Sequence, residues 1–134
     1  MGSLPLSSEK VAELEDACGK LLQYEEIRFV GVINHLGNMI AGGFKKGIEP
    51  LLNQQNIKMV FMEMNLDFNM RQEYDEILGD IDYITSRRKK QLIINVPLGE
   101  NFVLITAEPQ ADDKKIIKMA ENLFDEIKIS NIWF

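Results

Sequence analysis

The sequence predicts a single α/β domain of the α+β kind. It would be a five-stranded antiparallel sheet with a long middle helix on one face and the N- and C-terminal helices on the other. Three observations carry that reading. Ile27-Arg28-Phe29-Val30-Gly31-Val32-Ile33 is β-rich and apolar at both alternating positions, as suits a central strand covered on both faces. Residues 54–78 form the longest stretch with helical periodicity. The order of elements, α-β-β-α-β-β-β-α, is satisfied by hairpins and one crossover connection.

The first helix is expected from Ser7 or Ser8, either of which can cap it. Glu9 lies in its first turn, where a negative charge suits the helix dipole. Val11, Leu14, Cys18 and Leu21 recur at helical spacing, broadened by Ala17 and Leu22, and the helix should reach about Tyr24. After the first strand, Asn34-His35-Leu36-Gly37-Asn38 is turn chemistry, and Met39-Ile40-Ala41-Gly42-Gly43-Phe44 returns as a second strand. Gly42 and Gly43 admit a bulge or a close approach by another element. Lys45-Lys46-Gly47 breaks the pattern, and Pro50 suits the first turn of a short helical piece. The long helix over 54–78 ends with Gly79 in the C-cap place. Strands follow at 81–86, 92–96 and 102–107, separated by Arg87-Arg88-Lys89-Lys90 and by Pro97-Leu98-Gly99-Glu100-Asn101. The last helix begins near Asp112 and Asp113 and carries Ile116, Ala120, Leu123 and Ile127, flanked by Ile117 and Phe124. Residues 1–7 and 129–134 flank this one domain as tails. The second tail is apolar enough to be expected to fold back on the body.

With 134 residues the chain is long enough to bury a real core. A formal net charge of −6 argues against broad nucleic-acid or anionic-membrane binding, both of which need a positive field. No apolar run approaches the roughly 20 residues that span a bilayer. The opening Met1-Gly2-Ser3-Leu4-Pro5-Leu6 lacks the basic-then-apolar pattern of a signal peptide, and Leu6 stands where myristoylation of Gly2 requires Ser or Thr. Cys18, the single cysteine, permits no intrachain disulfide and lies on the apolar face of its helix, where a thiol acts as a small hydrophobe. A cytoplasmic protein is expected.

Motifs for catalysis fail at named residues. Gly42-Gly43-Phe44-Lys45-Lys46-Gly47 combines glycines with lysines, yet Ile48 and Glu49 follow where a phosphate-binding loop needs Lys and Ser or Thr. Asp67-Phe68-Asn69-Met70-Arg71 begins like a calcium loop, but Arg71 occupies a ligand place and the glycine is missing. Asp80 and Asp82 share one strand face, which is ordinary for solvated acids. One His and one Cys cannot build a zinc site alone. His35, the only histidine, falls in turn chemistry, with no nucleophile and orienting group implied beside it. The expectation is a protein without catalytic residues, metal or cofactor.

Two features remain. Arg87, Arg88, Lys89 and Lys90 form a basic run in an acidic chain, at a hairpin tip. Such a run is either a solvated turn that guards a sheet edge or a contact for an anion or acidic partner. The middle helix is the second. Met59, Val60, Phe61, Met62, Met64, Leu66, Phe68 and Met70 spread over more of the circumference than one sheet face can cover. Methionine adapts its shape and recurs on binding surfaces, though it also fills cores. An intersubunit role is therefore expected for that helix.

With this order of elements, the chain resembles the Roadblock family of dynein light chains and their prokaryotic relatives, most closely an archaeal branch. The likeness spans about residues 8–128 and is carried by soft motifs: Arg28-Phe29-Val30-Gly31-Val32-Ile33-Asn34 with Gly37-Asn38, Ala41-Gly42-Gly43-Phe44, and Tyr83-Ile84-Thr85-Ser86-Arg87-Arg88. The resemblance implies a profilin-like fold and a homodimer or heterodimer. In it the middle helix packs on its counterpart and the third strand joins two sheets edge to edge. On this chain the interface would hold Met59, Met62, Met64, Leu66 and Met70 of the helix, with Ile81, Tyr83 and Thr85 of the strand. Family members regulate or scaffold small Ras-like GTPases and motor complexes, which implies a non-catalytic interaction module. A PAS-like small-molecule sensor is the alternative. Its sheet looks similar, but several short helices usually stand between the second and third strands.

Overall fold

The computed structural model describes residues 7–130, and the side chains within them up to Ile127. The elements are α1 (Ser8–Leu22), β1 (Ile27–Ile33), β2 (Met39–Phe44), α2 (Gln54–Gln72), α3 (Asp75–Leu78), β3 (Ile84–Arg87), β4 (Leu92–Leu98), β5 (Asn101–Ala107) and α4 (Asp113–Ser130). The five strands make one antiparallel sheet in the order β2-β1-β5-β4-β3. The expected fold class and sheet are present, with β2 and β3 at the edges. Residues 129 and 130, expected as the start of a tail, continue α4, and the expectation that the tail folds back on the body lies, from residue 131 on, outside the described residues.

Strand alternation divides the core into two layers. Val30, Val32, Ile94, Val103 and Ile105 face α1 and α4, meeting Leu14, Cys18, Leu21, Ile116, Ala120 and Phe124. Phe29, Ile33, Phe102 and Leu104 point to the other side and meet Phe61 and Phe68 of α2. Caps start the helices: Ser7 Oγ accepts from the Lys10 amide, Asn53 Oδ1 from Asn56, and Asp112 Oδ1 from Lys115.

The middle helix departs from expectation. It does not run unbroken over 54–78: α2 stops at Gln72, and a single turn, α3, follows. Tyr74, with φ −103° and ψ 11°, sits in the bridge region, which interrupts the helical hydrogen-bond ladder. Apolar periodicity carries no signal for one such residue. Gly79 does end the segment at φ 89°, its amide donating to the Asp75 carbonyl. Where a PAS-type domain usually places several short helices, a 19-residue helix and a four-residue one stand.

The third strand is also displaced. It covers Ile84–Arg87 rather than 81–86, so Ile81 and Tyr83 precede it and Arg87 belongs to it. Pro97 supplies the reason. The Arg88 amide donates to the Gln91 carbonyl, so Arg88, Ser86 and Ile84 turn their backbone groups toward β4. By the same alternation Pro97 presents its ring nitrogen to the β3 side, opposite Asp82, where it has no N–H to give. Pairing therefore stops at Ile84–Asn95. Beyond that point β4 has no strand neighbour on this side among the described residues, so a proline within β4 breaks no ladder bond there and the strand continues to Leu98.

Candidate functional site: an apolar helix face beside an open sheet edge

α2 has two apolar sides. Ile57, Val60, Phe61, Met64 and Phe68 lie toward the sheet, and only Phe61 and Phe68 are fully buried. Met59, Met62, Leu66 and Met70 recur every three or four residues and lie, at 100° per residue, roughly opposite that inward set. Met59, Leu66 and Met70 are each more than half exposed, at 55%, 61% and 62%. Four large apolar side chains in one solvent-facing row are more than scattered surface hydrophobes. Tyr74, Ile77 and Leu78 extend the exposed apolar surface past the break.

The expected interface residues thus divide. Met59, Met62, Leu66 and Met70 are exposed, as are Tyr83 and Thr85. Met64 and Ile81 are half-buried and packed on the chain's own core. Helical periodicity alone does not separate Met64 from its neighbours, because the helix is apolar on both sides.

The two sheet edges differ. On β2, the Gly42 amide donates to the Glu15 carboxylate of α1, and the strand bulges between Val32 and Ile33 of its partner register. Gly42 itself is at φ 97°, and a Cβ there would lie 2.0 Å from the Val30 carbonyl oxygen, so only glycine fits. On β3, the alternation set by Arg88 and Gln91 leaves Thr85 and Arg87 with their backbone N–H and C=O groups directed away from β4. Thr85, Ser86 and Arg87 are exposed, and among the described residues no strand lies beyond them in the sheet.

The basic run is not one unit. The Arg87 guanidinium crosses to the β5–α4 connection, donating to the Pro109 carbonyl and, at 3.0 Å, to the Ala111 carbonyl. Asp113 lies 3.7 Å away. Arg87 thereby ties the edge strand to the start of α4. A sequence run of four like charges does not show that one is engaged locally. Arg88, Lys89 and Lys90 are exposed at the hairpin tip.

Two cavities border α2. A cleft of about 340 Å3 between the hairpin tips and the helix is lined by His35, Asn65, Asn69, Gln72, Glu100 and Asn101 over Phe68 and Phe102. His35 is held there by its turn, in which Asn34 Oδ1 accepts from the Leu36 and Asn38 amides. A smaller apolar groove of about 60 Å3 runs under Leu51 and Leu52 beside Phe29 and Phe44. Cys18 is buried, and burial, reinforced by the Glu15 charge, pushes its thiol up to about 12. Among the described residues no group of three or more His, Cys, Asp or Glu could hold a metal ion, and no helix is long and apolar enough to cross a membrane.

No curated protein matches the chain. Solved structures similar to it include MglB of Myxococcus xanthus, at 12% identity and TM-score 0.73, with 98% of each chain covered. A Roadblock/LC7 domain from Streptomyces avermitilis is 10% identical with TM-score 0.68, covering 89% of this chain and 98% of its own. Profilin of Schizosaccharomyces pombe is 14% identical with TM-score 0.61, covering 87% and 98%. Identities this low show the shared Roadblock- and profilin-like fold. A model described as a family of unknown function, DUF6659, matches residues 6–130, and the chain belongs to that family.

Proposed function

We propose that the protein is a non-catalytic, cytoplasmic homodimeric interaction module that regulates or scaffolds a small Ras-like GTPase. The observation that carries the dimer is the exposed row of Met59, Met62, Leu66 and Met70 on the side of α2 away from its own sheet. A second copy is the occupant that also uses the open β3 edge. Two β3 strands paired antiparallel about a two-fold axis extend the sheet and place both α2 helices on the same face of it. The β2 edge is the weaker choice, since Glu15 already occupies an amide there. A solved MglB has a tetrameric arrangement, so self-association occurs on this fold. The GTPase half of the proposal rests on the resemblance to Roadblock domains, and MglB-like structures support it through the fold alone.

Sedimentation velocity at micromolar concentration tests the dimer. Twice the 15.4 kDa chain mass is the expected result, and a strict monomer overturns it. For the partner, purified Ras-like GTPases of the same organism are titrated in their GDP-bound and GTP-analogue-bound forms. Saturable binding that depends on the nucleotide is expected. Failure of every GTPase to bind in either form removes that half and leaves the dimer standing.

A further inference from the structure

The acidic chain carries a concentrated positive charge at the tip beside its open edge, and among the described residues Arg88, Lys89 and Lys90 have no side-chain hydrogen bond or ion pair. Resting on the dimer reading above, we infer that this tip sets the register of β3 pairing by meeting Asp82 and Asp80 of the partner subunit, with Thr85 on the two-fold axis.

Backbone geometry restricts the choices. Thr85 and Arg87 direct their N–H and C=O groups outward, whereas Ile84 and Ser86 direct theirs toward β4. An antiparallel partner must bring outward-facing residues opposite one another. Two central registers satisfy this. In one, Thr85 opposes Thr85 of the partner subunit and Tyr83 opposes Arg87 of the partner subunit. In the other, Ser86 opposes Ser86 of the partner subunit, and Thr85 opposes Arg87 of the partner subunit.

Charge separates them. In the first register Arg88 falls opposite Asp82 of the partner subunit, and Lys90 is carried toward Asp80 of the partner subunit, each contact made twice by symmetry. Opposed residues share a face of an antiparallel sheet, so Arg88 and that aspartate point the same way. In the second register Arg88 falls opposite Ile84 of the partner subunit, and only Lys90 meets an aspartate. The first also pairs two threonines across the axis, a favourable cross-strand neighbour. Arg87 takes no part in the charge pairing, since its guanidinium is held by the Pro109 and Ala111 carbonyls.

Oxidative cross-linking of two single variants reads the register. Thr85 and Ser86 are both exposed, so Thr85→Cys and Ser86→Cys leave the core intact. Native Cys18 is buried and does not compete. Directly opposed residues of such a pair are about 5.5 Å apart at Cα, within disulfide range, and diagonal ones are about 7–8 Å apart. Thr85→Cys is expected to form the covalent dimer much faster than Ser86→Cys. Preferential linking through Ser86→Cys overturns the register while the dimer survives. A sedimenting dimer that links through neither overturns the use of β3, and a monomer removes the dimer reading itself. Charge exchange gives an independent reading: Arg88→Glu and Asp82→Arg should each weaken dimerisation about tenfold, and together restore it to within about threefold. Weakening by each without restoration overturns the Arg88–Asp82 pairing.

Discussion

Gly42 sits where three requirements meet. Its φ is 97°, its missing Cβ would lie 2.0 Å from the Val30 carbonyl oxygen, and its amide donates to Glu15. Both backbone strain and collision oppose any side chain there, so Gly42→Ala should cost about 2–3 kcal/mol in urea unfolding. Gly43, at φ 158°, has open space where its Cβ would be, so Gly43→Ala meets backbone strain without the collision and should cost less than Gly42→Ala. Cys18 allows a test by pH. Its thiol is raised in the fold to about 12, chiefly by burial. A raised acid stabilises the folded state fully below its unfolded value of about 8.5. That contribution is lost as pH climbs through the folded value. Stability of the wild type should therefore fall between about pH 9 and about pH 12 more steeply than that of Cys18→Ala. Equal slopes would mean that the thiol titrates alike in both states. Arg87 joins residue to element. Arg87→Ala removes two hydrogen bonds to the Pro109 and Ala111 carbonyls and should cost about 1–2 kcal/mol, with faster amide exchange at the start of α4.

At the scale of elements, strands are plainest where both faces are buried. β1 and β5 are apolar at inward and outward positions alike, because helices cover both sides, and composition alone marks them. β3 is obscured for the opposite reason. It is an exposed edge whose limits are set by Pro97 on the neighbouring strand, and no local pattern in residues 81–87 reports that. α2 is legible as a helix with too much apolar surface, but not where it breaks, because Tyr74 leaves periodicity unaltered. The same duality decides the candidate site: the exposed row is visible as an excess of methionine, whereas the inward turn of Met64 needs the sheet beneath it. Its position opposite the buried set makes a clean separation of roles. Leu66→Glu should leave the chain folded by circular dichroism yet weaken self-association strongly, since one charge enters an apolar interface. Phe61→Ala, on the inward side, should instead destabilise the chain itself by about 3–4 kcal/mol.

The whole molecule joins a well-fastened half to a lightly fastened one. α1 and α4 bury a continuous layer against one face of the sheet, including Leu14, Leu21, Ile116 and Phe124. α2 buries two side chains, Phe61 and Phe68, against the other face and leaves four, Met59, Met62, Leu66 and Met70, exposed. Burial of a large apolar side chain contributes about 1.5–3 kcal/mol, so a second copy that covers four of them adds to the stability of α2 as well as to association. Folding and pairing are then thermodynamically linked, and the melting temperature must rise with protein concentration. Between about 1 µM and about 100 µM, a hundredfold range, linkage supplies up to about 2.7 kcal/mol per dimer. Over a domain of this size that is a shift of several degrees. In the Leu66→Glu variant the melting temperature should be lower and independent of concentration. A wild-type melting temperature that does not move with concentration, measured by calorimetry over that range, would place the stability of α2 within one chain and leave its methionine row without the second copy assigned to it.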